Sequence, residues 1–266
     1  MSGLTLYYDT YACTGAAGAQ APDLVLLHGW GLHSVVWDPV VPALLQHFQV
    51  TVIDLPGMGR SPLPKGDYDL DFLVQQVLTV APQKATWLAW SLGAHVALAI
   101  AQRFPERVQA LSLIAANACF VQKPDWPHAM PEHVFAQFRD NYQEERDGTL
   151  IRFLSLQCRG SDRMREDIRF LQDILYLQGL PAPEALAAGL QILGDIDQRS
   201  AWRQLAVPCQ LILGDRDYLV PVSAGDAIKQ LQPSMQLAII EGSGHAPFLA
   251  QPEVFLRAFN DFVSAH

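Results

Sequence analysis

The chain has 266 residues, of which 50% are apolar and 17% charged, and its formal net charge is −9. That balance excludes an intrinsically disordered chain and argues against a partner made of nucleic acid or anionic membrane. A chain of this size is one large domain, or one domain carrying an insertion.

Taken in order, a poorly defined first strand is expected around Leu4–Tyr8, followed by a small-residue loop at Thr14–Ala21. Leu24–Leu27 (LVLL) reads as a buried strand and runs directly into His28-Gly29-Trp30-Gly31. Glycines there let the backbone turn tightly and bring an N–H close to a substrate; the donor expected is the amide of Trp30. The His28 side chain is read as a brace for the turn, and the Trp30 ring as a pocket wall. A helix is expected over Trp37–Gln46, a strand over Val50–Leu55 and a helix over Leu70–Val80. Thr86–Trp90 (TWLAW) is a strand, Ser91 follows it, and Ala94–Arg103 is helical.

A serine between a buried strand and a helix start, with a small residue two before it and glycine two after, is the context of a nucleophile elbow. The turn lifts the hydroxyl above the sheet. It also aims the next amide, that of Leu92, at the point where an oxyanion would form at the helix N-terminus. Ala89 and Ala94 stand where glycines are usual in such elbows, and the alternative reading of Ser91 is a simple helix N-cap.

Val108–Ala115 is the next strand, after which the alternation stops. Residues 120–200 are rich in helix formers and charge, with breaks at Pro124, Pro127, Pro131, Pro181 and Pro183. They read as an inserted helical lid on a core formed by 1–119 and 201–266. The alternation resumes with a strand at Gln210–Leu213, which leads into Gly214-Asp215-Arg216-Asp217-Tyr218-Leu219-Val220-Pro221. Two aspartates compete there as the acid that would orient a histidine: Asp217, at the tip of the loop, and Asp215, otherwise a turn residue or a partner of Arg216. A helix is expected at Ser223–Leu231, a strand at Leu237–Ile240, and a helix at Pro252–Val263. Between the last two, His245 sits in a glycine-rich loop, a setting that none of the other seven histidines shares. His95, in the helix after the elbow, is read as a packing or surface residue.

Strands alternating with helices, most of the strands continuously apolar, indicate a doubly wound, mostly parallel α/β sheet with helices on both faces. Four cysteines, Cys13, Cys119, Cys158 and Cys209, form no C-x-x-C pair, so they are read as free thiols and no metal or redox centre is expected. With no signal-peptide pattern and no run approaching 18 apolar residues, the expectation is a cytoplasmic protein.

The segments LVLLHGWGLHSVVW, VIDLPGMGRS, WLAWSLGAHVALAIAQRFPERVQALSLIAA and GSGHAPFLAQPEVF resemble the α/β-hydrolases along almost the whole chain. The order Ser91, Asp217, His245 is the order of that fold, in which the HG-x-G turn follows the third strand. The pieces HGWGL, WLAWSLG, RFPERVQAL and RFLSLQ are more narrowly similar to the carboxylesterase family of biotin synthesis, which acts on the methyl ester of pimeloyl-[acyl-carrier protein].

That resemblance implies a monomeric serine esterase without cofactor, with Ser91 as nucleophile, His245 as base and Asp217 as orienting acid. It implies an oxyanion hole at the Trp30 and Leu92 amides, and a substrate pocket lined by Trp30, Ser91, Leu92, Phe153, Leu154, Ser155, Leu156, Gln157 and His245. For Phe153, Leu154 and Leu156 an ordinary buried helix face is the competing reading. It also implies a docking surface for acyl carrier protein at Arg152, Arg165 and Arg169. These belong to a run of seven arginines between Arg139 and Arg169. If 159–169 is helical, Arg159 and Arg163 share a face, as do Arg165 and Arg169; the competing reading is a solvated face paired with Glu144, Glu145, Asp162, Glu166 and Asp167. A general carboxylesterase, a C–C bond hydrolase, an acyltransferase or a small-molecule receptor would carry the same three residues.

Overall fold

The computed structural model describes residues 5–63 and 65–266. In chain order its elements are β1 (Tyr8–Tyr11), β2 (Asp23–Leu27), α1 (Val41–Leu44), β3 (Gln49–Ile53), α2 (Leu70–Val80), β4 (Ala85–Trp90), α3 (Leu92–Arg103) and β5 (Val108–Ile114). Then come α4 (Glu132–Glu144), α5 (Arg146–Cys158), α6 (Met164–Leu177), α7 (Pro183–Asp195) and α8 (Arg199–Gln204). The chain closes with β6 (Cys209–Gly214), α9 (Ser223–Leu231), β7 (Gln236–Ile240), α10 (Pro247–Ala250) and α11 (Pro252–Ser264).

The seven strands form one sheet in the order β1-β3-β2-β4-β5-β6-β7, parallel throughout except for β1, which runs antiparallel to β3. Every residue of β4 and β6 is buried, because helices cover both faces of the central strands. The rim strands β1 and β7 are largely exposed. Sheet order reverses between β2 and β4: the chain leaves β2 for β3 on one side and returns to β4 on the other. Ligands of doubly wound sheets sit in the crevice outside the carboxyl ends of the strands at such a reversal. His28 follows β2 there, and Ser91 follows β4.

Three local expectations are corrected. The first strand lies at Tyr8–Tyr11 rather than around Leu4–Tyr8, and Leu4 lies outside the described residues. Trp37–Gln46 is not one helix but a 3-10 turn, Ser34–Trp37, followed by the single turn of α1. Pro39 and Pro42 remove two backbone donors within that stretch. Helix α6 begins at Met164, so 159–163 is a turn and Arg159 shares no helix face with Arg163. Gly160 breaks the helix at φ +92°, where a side chain would be strained. By contrast α2 matches its expected bounds, with the Asp69 carboxylate accepting the Phe72 N–H at 2.7 Å as an N-cap.

Between β5 and β6 the chain forms two isolated bridges, Val121 with Met130 and Lys123 with Trp126, and then the helices α4 to α8. Pro131 is the N-cap of α4 and Pro183 the first residue of α7, positions where a missing N–H costs nothing. Among the described residues no helix is long and apolar enough to cross a membrane.

Candidate active site

Ser91 holds φ 54° and ψ −118°, a conformation that L-residues other than glycine seldom adopt. Strand and helix impose it: the Ser91 N–H donates to Ile114 O at 2.9 Å, while its carbonyl accepts the Ala94 N–H at 2.9 Å as α3 starts. The turn is so tight that a Cβ on Gly93 would lie 2.5 Å from His28 O and 2.8 Å from Leu27 O. Gly29 packs less tightly from the other side, where a Cβ would lie 3.0 Å from the Trp90 ring and 3.2 Å from Ser91 Cβ. The loops after β2 and β4 therefore meet backbone to backbone, and the Leu92 amide, first in α3, stands outside the helical hydrogen-bond ladder.

His28 braces this junction. Its Nδ1–H donates to Gly29 O at 2.8 Å and its Nε2 accepts the Leu55 N–H at 2.9 Å. Burial pushes its pKa down to about 4, so the ring is neutral and both bonds are kept. The HG-x-G turn expected after a third strand follows β2, the second strand among the described residues.

The three residues singled out from separate loops come together. His245 Nε2 lies 3.0 Å from Ser91 Oγ, and His245 Nδ1 lies 2.8 Å from Asp217 Oδ2. The other carboxylate oxygen, Asp217 Oδ1, accepts the N–H groups of Leu219 at 2.7 Å and Val220 at 3.0 Å. A carboxylate facing Nδ1 keeps the proton on that nitrogen, which leaves the Nε2 lone pair aimed at the serine hydroxyl. All three side chains are buried, so the hydrogen bonds act without competition from water. Asp215 faces away from this group: it accepts the Ser243 N–H at 3.1 Å and lies 3.5 Å from Arg216 Nε. His95 is a core residue, donating from Nδ1 to Gln198 Oε1 at 2.7 Å.

Sequence reasoning missed a contribution of Trp90. Its indole N–H donates to the carbonyl of His245 at 2.8 Å, and its ring lies 5.7 Å from the imidazole. The residue before the serine thus holds the loop of the histidine. The only signal was the tryptophan's presence at that position.

Trp30 is buried under the helices that follow β5. Its ring packs edge-on against Phe153 at 4.9 Å and against Phe138 and Tyr142 at 5.8 Å, and its N–H donates to Leu186 O at 2.8 Å. Beside it lies a small apolar cavity of about 40 Å³ walled by Phe135, Phe138, Phe153, Leu156, Leu193 and Leu219 among others. Within the stretch 153–157, Phe153 and Leu156 face this cavity. Leu154 is buried but does not line it, and the Ser155 hydroxyl bonds back to Ile151 O at 3.3 Å. Gln157 meets the histidine through its backbone, its carbonyl accepting the His245 N–H at 2.9 Å.

Arg152 on α5, and Arg165 and Arg169 on α6, are all exposed. Arg152 pairs with Glu145 at 2.8 Å and Arg169 with Asp173 at 3.9 Å. Of the other expected pairings, Glu166 takes Arg163 at 2.7 Å, whereas Asp162 takes Arg216 at 2.9 Å and Asp167 accepts from the Ser161 hydroxyl at 2.5 Å.

A family model described as alpha/beta hydrolase fold matches residues 22–252. A protein of Aeromonas hydrophila named pimeloyl-[acyl-carrier protein] methyl ester esterase is 38% identical, over 92% of this chain and 96% of its own. One of the same name from Xanthomonas oryzae pv. oryzae is 42% identical over the same shares. Among solved structures, an esterase from Exiguobacterium antarcticum superposes with a TM-score of 0.84 at 18% identity, covering 99% of this chain and 97% of that one. The chain belongs to the α/β-hydrolase family, in the branch whose members are named pimeloyl-[acyl-carrier protein] methyl ester esterases.

Proposed function

We propose that this chain is a cytoplasmic, monomeric serine carboxylesterase that hydrolyses the methyl ester of pimeloyl-[acyl-carrier protein], freeing the pimeloyl carboxylate for biotin synthesis. The observation that carries the chemistry is the unbroken relay from Asp217 Oδ2 through His245 to Ser91 Oγ, with bonds of 2.8 and 3.0 Å. The substrate is taken from relatives that match at 38–42% identity over nearly their whole length.

His245 Nε2 removes the hydroxyl proton as Ser91 Oγ attacks the ester carbonyl carbon. The carbonyl oxygen becomes an oxyanion that accepts from the Trp30 and Leu92 amides. Collapse expels methanol, which takes the proton back from Nε2. Water then attacks the acyl-enzyme with the same base, and Ser91 leaves protonated. No cofactor enters either half. Residues 120–200 serve as the lid over a core of 1–119 and 201–266, with the apolar side chains of Phe153 and Leu156, and Trp30 packed behind Phe153, suited to an apolar acyl chain. Arg152, Arg165 and Arg169 offer planar cationic groups to an acidic carrier protein.

The test compares a methyl ester carried on acyl carrier protein with a small aryl ester. Reversing the charge of Arg152, Arg165 and Arg169 lowers kcat/KM for the carrier-bound ester, and added salt does the same, because exposed charge pairs are screened. The aryl ester is scarcely affected. If neither substrate responds, the chain is a general carboxylesterase. If no acyl-enzyme is trapped from any ester, a receptor of the same fold is the better description.

A further inference from the structure

The turn between α5 and α6 touches the loops of both the base and the acid. From residues 157–163 it makes four separate links. Gln157 O accepts the N–H of His245 at 2.9 Å, and the Asp162 N–H donates to Gly242 O at 2.9 Å, both in the histidine loop. The Asp162 carboxylate accepts from Arg216 Nη1 at 2.9 Å, and the Arg159 guanidinium lies 4.0 Å from the centre of the Tyr218 ring. Arg216 and Tyr218 are the two neighbours of Asp217. The fit admits no side chains at the crossing points: a Cβ on Gly160 would lie 2.5 Å from Arg216 O, and one on Gly244 would collide with Arg159 O.

We infer that this turn is a positioning element for catalysis, with Arg159 and Asp162 bracing the separation of Asp217 and His245 by gripping Tyr218 and Arg216. The inference rests on the roles proposed above for Ser91, Asp217 and His245. The gripping groups are exposed, so as mere surface contacts they add little to stability. What they fix is geometry: the acid and histidine loops are tied at their bases, by the Arg216 N–H to Ser243 O at 3.0 Å and the Ser243 N–H to Asp215 at 3.1 Å, and the turn adds a brace farther out, on the Arg216 side chain and the Tyr218 ring that flank Asp217. A shift on the order of 1 Å in such a pair costs up to about a hundredfold in rate.

The experiment measures kcat and KM for a small aryl ester, and the rate of fluorophosphonate labelling of Ser91, in three variants alongside thermal melting. Arg159→Ala with Asp162→Ala lowers kcat and the labelling rate together by about tenfold or more, with KM nearly unchanged and the melting temperature within a few degrees. Arg159→Lys with Asp162→Asn keeps a cation over the ring and an acceptor for Arg216, and restores most of both rates. Arg103→Ala, whose exposed partner Asp71 lies on α2 away from both loops, changes neither. Equal kcat in wild type and the double alanine variant overturns the inference, as does a loss that tracks melting temperature or that the conservative pair fails to restore. Failure of the wild-type protein to label at Ser91 would instead overturn the triad reading beneath it.

Discussion

Replacing Asp217 by asparagine changes one atom, and the surrounding hydrogen bonds dictate how the new amide must sit. Asp217 Oδ1 accepts two backbone N–H groups, from Leu219 at 2.7 Å and Val220 at 3.0 Å, so the asparagine must keep its carbonyl oxygen there. Turned the other way, its NH2 group would face two donors. The amide nitrogen then falls at the place of Oδ2, 2.8 Å from His245 Nδ1. Nδ1 must accept, the ring proton moves to Nε2, and the nitrogen 3.0 Å from Ser91 Oγ becomes a donor in place of a base. Loss of the base with the fold intact costs a triad about 10⁴-fold in kcat, or about 5 kcal/mol of transition-state stabilisation. Asp215→Asn is the control. Its amide oxygen still accepts the Ser243 N–H, and it loses only a contact of 3.5 Å with the exposed Arg216. Such pairs contribute about 0–1 kcal/mol, so its kcat stays within about threefold of wild type. Initial rates on p-nitrophenyl butyrate, with circular dichroism to check folding, compare the two. An Asp217→Asn protein retaining a tenth of wild-type kcat, or two variants impaired alike, would refute the assignment of the acid.

Ser91→Ala lowers ester hydrolysis by about 10⁴-fold or more, because triad members act as a unit, and abolishes the single fluorophosphonate adduct that mass spectrometry finds on Ser91 in the wild type. Gly93→Ala lowers stability by roughly 2–4 kcal/mol and melting temperature by about 5–15 °C, since its Cβ would lie 2.5 Å from the His28 carbonyl, a backbone atom that cannot swing aside; an unchanged melting curve would contradict this. Stability also falls with acid. Burial pushes the pKa of His28 and of His95 down to about 4, so between about pH 6.5 and 4 the unfolded chain binds protons that the folded chain does not. Stability from these two groups is full above that window, declines as pH falls through it and levels off below, and chemical denaturation of His95→Gln across the window shows a shallower pH slope than wild type.

The central strands were legible because they are buried on both faces: runs such as TWLAW and QLIL have one reading when flanked by turns. The first strand was misplaced because YDTY lies at the antiparallel rim, where exposed positions carry no apolar signal. Trp37–Gln46 has the apolar spacing of a helix, yet Pro39 and Pro42 split it into a 3-10 turn and a single helical turn. A conditional helix over 159–169 overlooked Gly160, whose left-handed φ ends α5. At the site, chain order and loop context picked out the three side chains that meet. The contacts that hold them were not legible, because they join residues distant in the chain. Trp90 reaches the His245 carbonyl across 155 positions, and nothing local marks an indole N–H as needing that partner.

The elbow shows which of its small residues the fold requires. A strict reading of G-x-S-x-G would count Ala89 as a defect, yet Ala89 sits in β4 in register with Leu27 on one side and Leu113 on the other, fully buried. Its methyl is one more apolar group in a packed sheet. Ala94 is buried in the first turn of α3, and its N–H still bonds to Ser91 O at 2.9 Å. Gly93 has no such freedom, because the helix start crosses the end of β2 at carbonyl contact, and Gly29 closes the same junction against Trp90 and Ser91. The steric demand at this turn is backbone against backbone at Gly93, and falls more lightly on Gly29, which faces the Trp90 ring and Ser91 Cβ. Substituting alanine at Gly29 should therefore cost less than Gly93→Ala, because the Trp90 ring need give by only a few tenths of an ångström. Restoring glycine at Ala89 should leave kcat within about threefold and cost only the ~1 kcal/mol that a strand loses when alanine becomes glycine. Melting curves and aryl-ester rates of the two variants side by side decide it, and a gain in rate from Ala89→Gly would mean that the methyl does obstruct the elbow.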